Sequence, residues 1–136
     1  MKLSRSSAYA VHAVVYMAQQ EDRQELVTSH AIAEDQGMPE RFLVKLLRPL
    51  VNNRVLQSLK GPNGGYRLAR PASTISLLEI IEAVDGTIRG VSPLASGKQN
   101  GSLDSRLEKV CDESAKQTRE HLGKVRVSTL AGARKK

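Results

Sequence analysis

The stretch RVLQSLKGPNGGYRLAR, residues 54–70, is the most informative part of the sequence. Strand-forming residues lie on both sides of a break, Gly61-Pro62-Asn63-Gly64-Gly65, that consists of turn residues. Proline presets φ at the first turn position, and asparagine and glycine accept the positive φ of a tight reversal. The stretch therefore predicts a two-stranded hairpin with an exposed tip. It carries four cations and no acid, which suits contact with phosphate: Arg54, Lys60, Arg67 and Arg70.

Two short helices are predicted directly before this hairpin. Thr28 is a suitable N-cap for a helix over 29–36 that stops at Gly37. The next helix begins with Pro39 at its first position, and Pro49 is expected to bend or end it. Its apolar residues recur at helical spacing and are expected in the core: Phe42, Leu43, Leu46 and Leu50. Two helices and a hairpin predict a winged helix-turn-helix over residues 28–70.

Further elements flank this unit. A helix is predicted over about 7–19, with Ser6 or Ser7 as its cap, and 26–27 is expected to add a third strand to the sheet. Ser76, with Glu79 three residues later, predicts a capping box for a helix that Gly86 ends. The acids of that helix are expected to form a solvated face: Glu79, Glu82 and Asp85.

The net charge of +7 is concentrated in one region. Residues 41–70 contain seven Lys or Arg and no acid, whereas the rest of the chain holds 14 bases and 14 acids. The excess positive charge thus coincides with the second helix and the hairpin. Such a local excess is typical of a surface that binds double-stranded DNA.

Four segments of the chain resemble bacterial regulators of the Rrf-two (Rrf2) type, the winged-helix family that includes the IscR, NsrR and CymR types. The segments are SSAYAVHAVVYMA, AIAEDQGMPERFLVKLLRPL, LKGPNGGYRLARP and ISLLEIIEAVDG, and the likeness is close from residue 1 to about 90. The resemblance implies a transcription regulator that acts as a homodimer, most often a repressor. Many relatives carry Glu-Gln where this chain has Val44-Lys45, so its operator sequence is expected to differ.

The expected DNA contacts fall into three groups. Glu40, Arg41, Val44 and Lys45 lie early on the second helix and are expected to read base edges in the major groove, with Val44 against a thymine methyl. Lys60 and Arg67 are expected at phosphates or in the minor groove, and Arg5 and Ser6 at a phosphate. The other residues expected to contact DNA are Thr28, Arg48, Gly61, Pro62, Asn63, Gly64, Gly65 and Tyr66.

The C-terminal third predicts one long helix. Three parts are expected: the DNA-binding domain over 1–86, a flexible loop over 87–102, and a dimerisation helix with a basic tail over 103–136. In the family the equivalent helix crosses between protomers, which implies that 127–130 packs on the partner. The helix shows apolar or small residues at three- and four-residue steps, which are expected at the dimer interface: Leu103, Leu107, Val110, Cys111, Thr118 and Leu122. The fold class is therefore mainly α with a small β-wing.

Composition argues against several other classes. Relatives that hold an iron-sulfur cluster carry three cysteines in the loop, and here the single cysteine is Cys111, so no cluster is expected. Cys111 itself is interpreted as a packing residue in preference to a redox switch. His12, His30 and His121 show no ligand spacing, so neither a metal nor any other cofactor is expected.

An enzyme and a membrane protein are also disfavoured. No catalytic arrangement is visible, the glycines at 61–65 are not a P-loop, and no run is long enough to span a membrane. The chain is expected in the cytoplasm. The alternative function is a winged helix that senses a ligand or binds a protein without DNA. The sequence leaves open the small-molecule or protein effector, the operator, and the choice between repressor and activator.

Overall fold

Helices dominate the computed structural model of the chain, which describes residues 1–94 and 102–132. Part of the expected flexible loop and the basic tail from residue 133 lie outside the described residues. The elements in order are α1 Arg5–Ala18, α2 Ser29–Gln36, α3 Glu40–Asn52, β1 Leu56–Leu59, β2 Gly65–Leu68, a 3-10 turn Ala72–Thr74, α4 Leu77–Asp85, α5 Ser102–Lys124 and α6 Val127–Ala131. The predicted class, mainly α with a two-stranded wing and a long C-terminal helix, is confirmed.

Local capping chemistry sets several helix ends as predicted. Thr28 Oγ1 accepts a hydrogen bond from the Ala31 N–H at 3.0 Å, and α2 stops at Gly37, whose φ is +63°. Ser76 and Glu79 form the predicted capping box, since Ser76 Oγ accepts from the Glu79 N–H and the Glu79 carboxylate accepts from the Ser76 N–H. These signals work because donor and acceptor lie three residues apart.

Two other predicted helix boundaries are wrong. Ser4, not Ser6 or Ser7, caps α1, and its Oγ accepts from the Ser7 N–H at 3.0 Å. Pro39 is the N-cap of α3 and not its first helical residue, and the helix continues past Pro49 to Asn52. A proline removes one backbone hydrogen bond, and the burial of Leu50 in the core holds the last turn of α3 in place.

The sheet has two strands among the described residues, not the expected three. Its antiparallel register pairs Leu56 with Leu68 and Ser58 with Tyr66. Val27 adds only an isolated bridge, in which its N–H and C=O both bond to Tyr66 at 2.8 Å. Pairing stops there because Thr28, the next residue, already caps α2.

The core forms where α1, α3 and α4 meet the wing and the C-terminal segment. Its fully buried side chains include Val14, Leu43, Leu50 and Ile80. Phe42, expected in the core with Leu43, Leu46 and Leu50, is only half-buried, with its ring edge-on to Tyr9 at 5.7 Å between centroids.

The C-terminal segment returns to its own chain. The Val127 N–H donates to Ile75 O at 2.9 Å, and the Leu77 N–H donates to Val125 O at 2.8 Å. Val127 is fully buried and Leu122 is 7% exposed. Residues 127–130, expected on a partner, therefore begin with a residue that completes the core of the same protomer.

Candidate nucleic-acid interface

Three cations project from one face of α3. Arg41, Lys45 and Arg48 are spaced by four and three residues, so they lie above one another on the helix. All three are exposed, and none is paired with an acid in residues 1–94 or 102–132. A shallow concavity of about 520 Å³ lies over the start of this face, lined by Glu40, Arg41, Val44 and Lys45. This face can meet an anionic surface without breaking any internal ion pair.

Glu40 is held by α2. Its carboxylate accepts a hydrogen bond from Ser29 Oγ at 2.8 Å and lies 3.3 Å from His30 Nδ1. The other ring nitrogen of His30 is 3.3 Å from the Glu34 carboxylate. Glu40, which is expected to contact base edges, therefore also links α3 to α2. Neither Ser29 nor His30 was predicted at the interface, because no sequence pattern pairs them with a residue of the next helix.

The wing tip is exposed from Lys60 to Asn63. Two glycines that follow it are required by the hairpin itself. A Cβ on Gly64 would lie 2.1 Å from Leu59 O, and one on Gly65 would lie 2.7 Å from Val27 O. These two glycines therefore have a role within the hairpin, and their contact with DNA stays a prediction.

The arginines of β2 and beyond are engaged within the protein. Arg67 donates from Nε to Gln57 Oε1 at 2.9 Å and from Nη1 to Gln24 O at 3.1 Å. Arg70 forms an ion pair with Glu79 and donates to backbone carbonyls at Arg54 and Thr74. Arg70 thus anchors the base of the wing to α4. Of the four cations predicted along this hairpin, Lys60 is the one at its exposed tip.

The N-terminus of α1 already holds a carboxylate from the same chain. Asp85 accepts hydrogen bonds from Ser4 Oγ at 2.7 and 2.9 Å and from Ser7 Oγ at 2.7 Å. A helix N-terminus favours anions, and Asp85 supplies one here. The phosphate contact expected of Ser6 stays a prediction, and Arg5 beside it is exposed.

All three acids of α4 have partners, and the predicted solvated face is only partly right: Asp85 is exposed, whereas Glu79 and Glu82 are half-buried. Asp85 receives the serines of α1. The Glu82 carboxylate accepts two hydrogen bonds from Arg119, at 2.8 and 2.9 Å, and one from the Ile88 N–H at 2.8 Å. The Arg119 hydrogen bond lowers the pKa of Glu82 below its ordinary value, although burial opposes this. Burial raises the pKa of Glu79, but the Ser76 N–H and Arg70 outweigh it and lower that pKa overall.

The predicted dimer residues divide into two stripes on α5. The outer stripe is exposed: Leu103 is 60%, Leu107 45% and Val110 62% accessible. The inner stripe, made by Cys111, Thr118 and Leu122, is half-buried or buried within the protomer. A Cβ on Gly90 would lie 2.3 Å from Cys111 O, so the segment after α4 runs directly over the backbone of Cys111.

No metal site is formed by the described residues, where no group of three or more His, Cys, Asp or Glu comes together. No described helix is long and apolar enough to cross a membrane.

Comparison with known proteins gives consistent matches in sequence and structure. The family model described as "Rrf2: Iron-dependent Transcriptional regulator" matches residues 3–133. The chain is 37% identical over 114 residues to the HTH-type transcriptional regulator IscR of Cereibacter sphaeroides, covering 79% of this chain and 74% of that one. It is 35% identical over 97 residues to an HTH-type regulator of Mycobacterium tuberculosis, covering 71% of this chain. The chain spans only 60% of the length of that relative.

Solved structures share the fold. CymR, the global cysteine regulator of B. subtilis, aligns with a TM-score of 0.77 at 23% identity and covers 96% of each chain. IscR of T. potens aligns with a TM-score of 0.69 at 28% identity, over 96% of this chain and 85% of that one. The long helix and the wing described above thus belong to an architecture that has been seen in other regulators.

Proposed function

The chain belongs to the Rrf2 family of transcription regulators, and we propose that it is a repressor that binds a palindromic operator as a homodimer without an iron-sulfur cluster. One observation carries the proposal. Arg41, Lys45 and Arg48 lie on one exposed face of α3 without an acid partner among the described residues, and Lys60 is exposed at the neighbouring wing tip. These groups match the phosphate and base contacts of a helix that enters the major groove.

The outer stripe of α5 supports the homodimer. Leu103, Leu107 and Val110 are large apolar side chains that this protomer leaves exposed. A second copy can cover them with the same stripe, because two-fold pairing places one surface against its own copy. A two-fold dimer presents two α3 helices, so its preferred operator is a palindrome.

Genomic footprinting of the tagged protein tests this proposal. The expected result is a set of sites that share a palindrome, together with the genes that they control. Purified protein should shift these fragments in a gel. Its affinity should fall steeply as the salt concentration rises, because Lys and Arg side chains that bind phosphates release counterions from the DNA and added salt opposes that release. Loss of expression control on deleting the protein, with target genes rising, would identify a repressor; target genes falling would identify an activator.

The alternative is a winged helix that senses a ligand or binds a protein without DNA. It predicts no footprint and no salt-dependent shift with any genomic fragment. The three cations of α3 argue against it, since nothing within the described protomer uses them. The proposed DNA binding supports the expectation that the protein lies in the cytoplasm.

The family description names iron dependence, but an iron-sulfur cluster does not fit the residues of this chain. Iron-sulfur clusters are held chiefly by several cysteine thiolates, whereas Cys111 is the one cysteine in the sequence. Cys111 also lies half-buried beneath the segment that contains Gly90. We expect an anaerobic preparation to be colourless and to contain far less than one equivalent of iron and sulfide. A brown protein with near-stoichiometric iron and sulfide would refute this.

A further inference from the structure

A small cleft with mixed polar and apolar walls separates α3 from the wing. It has a volume of about 150 Å³, which corresponds to about five water molecules in the liquid. Its walls come from α3 on one side and from the paired strands on the other. The lining residues are Val44, Arg48, Val51, Asn52, Ser58 and Tyr66.

Strand alternation explains why Ser58 and Tyr66 face this cleft. Ser58 pairs with Tyr66, and the next pair on the same face is Leu56 with Leu68, both of which are buried in the core. The cleft is therefore the open edge of the core, where the wing leaves α3. Gln57 and Arg67 form the pair between them and lie on the opposite face of the wing, where they bond to each other.

The polar groups of the cleft are free to bind a ligand. Arg48, Asn52 and Ser58 are all exposed. None of their side chains forms a hydrogen bond or an ion pair with another described residue. By contrast, the neighbouring Asn53 donates from Nδ2 to Pro49 O at 2.7 Å, and Gln57 accepts from Arg67. No acid lines the cleft. The Arg48 cation and the neutral donors of Asn52 and Ser58, with Tyr66 beside them, form a site suited to a single anion.

The geometry of DNA supplies that anion, on the premise of the proposed function. A major groove and its adjacent minor groove are separated by one sugar-phosphate strand. If α3 occupies the first groove and the wing tip the second, that strand must pass over the cleft between them. We propose that the cleft binds one phosphate of this strand, with Arg48 providing the charge and Asn52 and Ser58 providing neutral donors.

This assignment gives Arg48 a different role from Arg41 and Lys45. Base edges are read by residues early in a recognition helix, and Arg48 lies about two turns after Arg41. Asn52, in the last turn, is further still from the bases. The cleft therefore fixes the depth and tilt of α3 in the groove and carries no sequence preference of its own.

A methylphosphonate scan tests the proposal directly. Each phosphate of the strongest footprinted duplex is replaced singly by a neutral methylphosphonate, and binding of the unsubstituted protein is compared with that of Arg48→Ala. We expect one phosphate per half-site whose replacement weakens the unsubstituted protein at least fivefold but weakens Arg48→Ala less than twofold. Lys116→Ala, an exposed cation on α5, is the matched control and should retain the full effect of that replacement.

Two further variants separate charge from hydrogen bonding. Arg48→Ala should reduce the slope of log affinity against log salt by about one unit for each protomer bound. Ser58→Ala and Asn52→Ala should weaken binding about two- to tenfold on every duplex while the slope is unchanged. Ser73→Ala, an exposed serine after the wing, is the control for Ser58→Ala.

The outcomes distinguish this inference from the proposed function. If Arg41→Ala weakens operator binding but no phosphate in the scan couples to Arg48, the cleft assignment is wrong and the proposed function stands. If Ser58→Ala and Asn52→Ala bind as tightly as Ser73→Ala, the neutral donors are wrongly assigned. If the unsubstituted protein binds no duplex at any salt concentration, both proposals fail. Thermal melting of each variant confirms that these surface changes leave the fold intact.

Discussion

Arg54 has a backbone conformation that its side chain does not favour. Its φ of +60° is the only positive φ at a non-glycine position in the described parts of the chain. The residue follows α3, where the Arg54 N–H donates to Val51 O at 3.0 Å and the Val55 N–H donates to Leu50 O at 2.9 Å. This is the Schellman pattern that usually has glycine at this position. The left-handed conformation costs a non-glycine residue about 1–2 kcal/mol.

Replacing Arg54 with glycine should therefore stabilise the protein. Relief of the left-handed conformation is partly offset by the greater freedom of glycine in the unfolded chain, which leaves a gain of about 0.5–1 kcal/mol. Urea unfolding measures the change. Asn53→Gly is the control, since Asn53 has φ −95° and loses a 2.7 Å bond to Pro49 O, so it should be less stable than the unsubstituted protein. Equal effects from the two changes would contradict this explanation.

Residue types predicted the contacts that are close in sequence and missed those that are distant. Thr28 and Ser76 cap helices through donors three residues away, so their roles follow from the local sequence. Asp85 meets Ser4 and Ser7 across about eighty residues, and only the packed structure brings them together. The left-handed conformation of Arg54 could not be predicted from the sequence either, because the pattern that predicts a helix end has glycine or asparagine at that position.

At the scale of the element, helix and wing are expected to contribute differently to recognition. Arg41→Ala and Lys45→Ala should flatten preference at particular operator positions, since one base contact discriminates by about 1–3 kcal/mol. Lys60→Ala should weaken all duplexes alike and reduce the salt slope by about one unit for each protomer bound. Cognate and scrambled duplexes at several salt concentrations distinguish the two effects. A change of sequence preference in Lys60→Ala alone would reverse these roles.

The junction of α4 with α5 should make stability depend on pH. The pKa of Glu82 lies below its ordinary value of 4.5 because Arg119 and the Ile88 N–H bind the charged form. Because its pKa is lowered in the folded state, ionised Glu82 contributes stability that is fully present above about pH 4.5. This contribution is lost as the pH falls through the pKa of the folded state. Glu82→Gln should therefore unfold at lower urea at pH 7 and lose less stability on acidification. Glu120→Gln, an exposed neighbour of Arg119, should keep the full pH dependence.

The wing and its neighbouring helices were predictable because turn residues and helical spacing specify them locally. The prediction of a third strand is wrong because a single bridge from Val27 is all that fits before α2 begins. The ion pairs of Glu79 and Glu82 were not predictable either. A run of acids on one helix face indicates a solvated surface, whereas the arginines that pair with these acids, Arg70 and Arg119, lie in other parts of the chain.

At the scale of the whole molecule, the two stripes of α5 lead to opposite mutational outcomes. The double change Leu107→Glu and Val110→Glu places charges on the exposed outer stripe and should yield folded monomers that bind the operator at least tenfold more weakly. Light scattering at micromolar concentration measures the mass. Leu122→Glu buries a charge inside the protomer and should lower its unfolding free energy by several kcal/mol. An unsubstituted protein that is already monomeric would refute the dimer.

Periodicity alone could not distinguish these stripes. It showed that apolar residues recur along α5, but the choice between covering by the same chain and by a partner depends on where the chain turns back. That turn runs from residue 86 and places Gly90 over Cys111.

The return of the chain to its own core also bears on how the protein is synthesised. Val127 in α6 is fully buried, and its N–H bonds to Ile75 O. Because α6 packs on α1, the first helix to be synthesised cannot complete its packing until almost the whole chain has been made. Contacts of such long sequence separation form late in folding. A chain that is interrupted before residue 127 contains all of α3 and the wing but lacks the segment that completes the core against α1. Incomplete translation products are therefore expected to be substrates for proteases and not competitors for the operator.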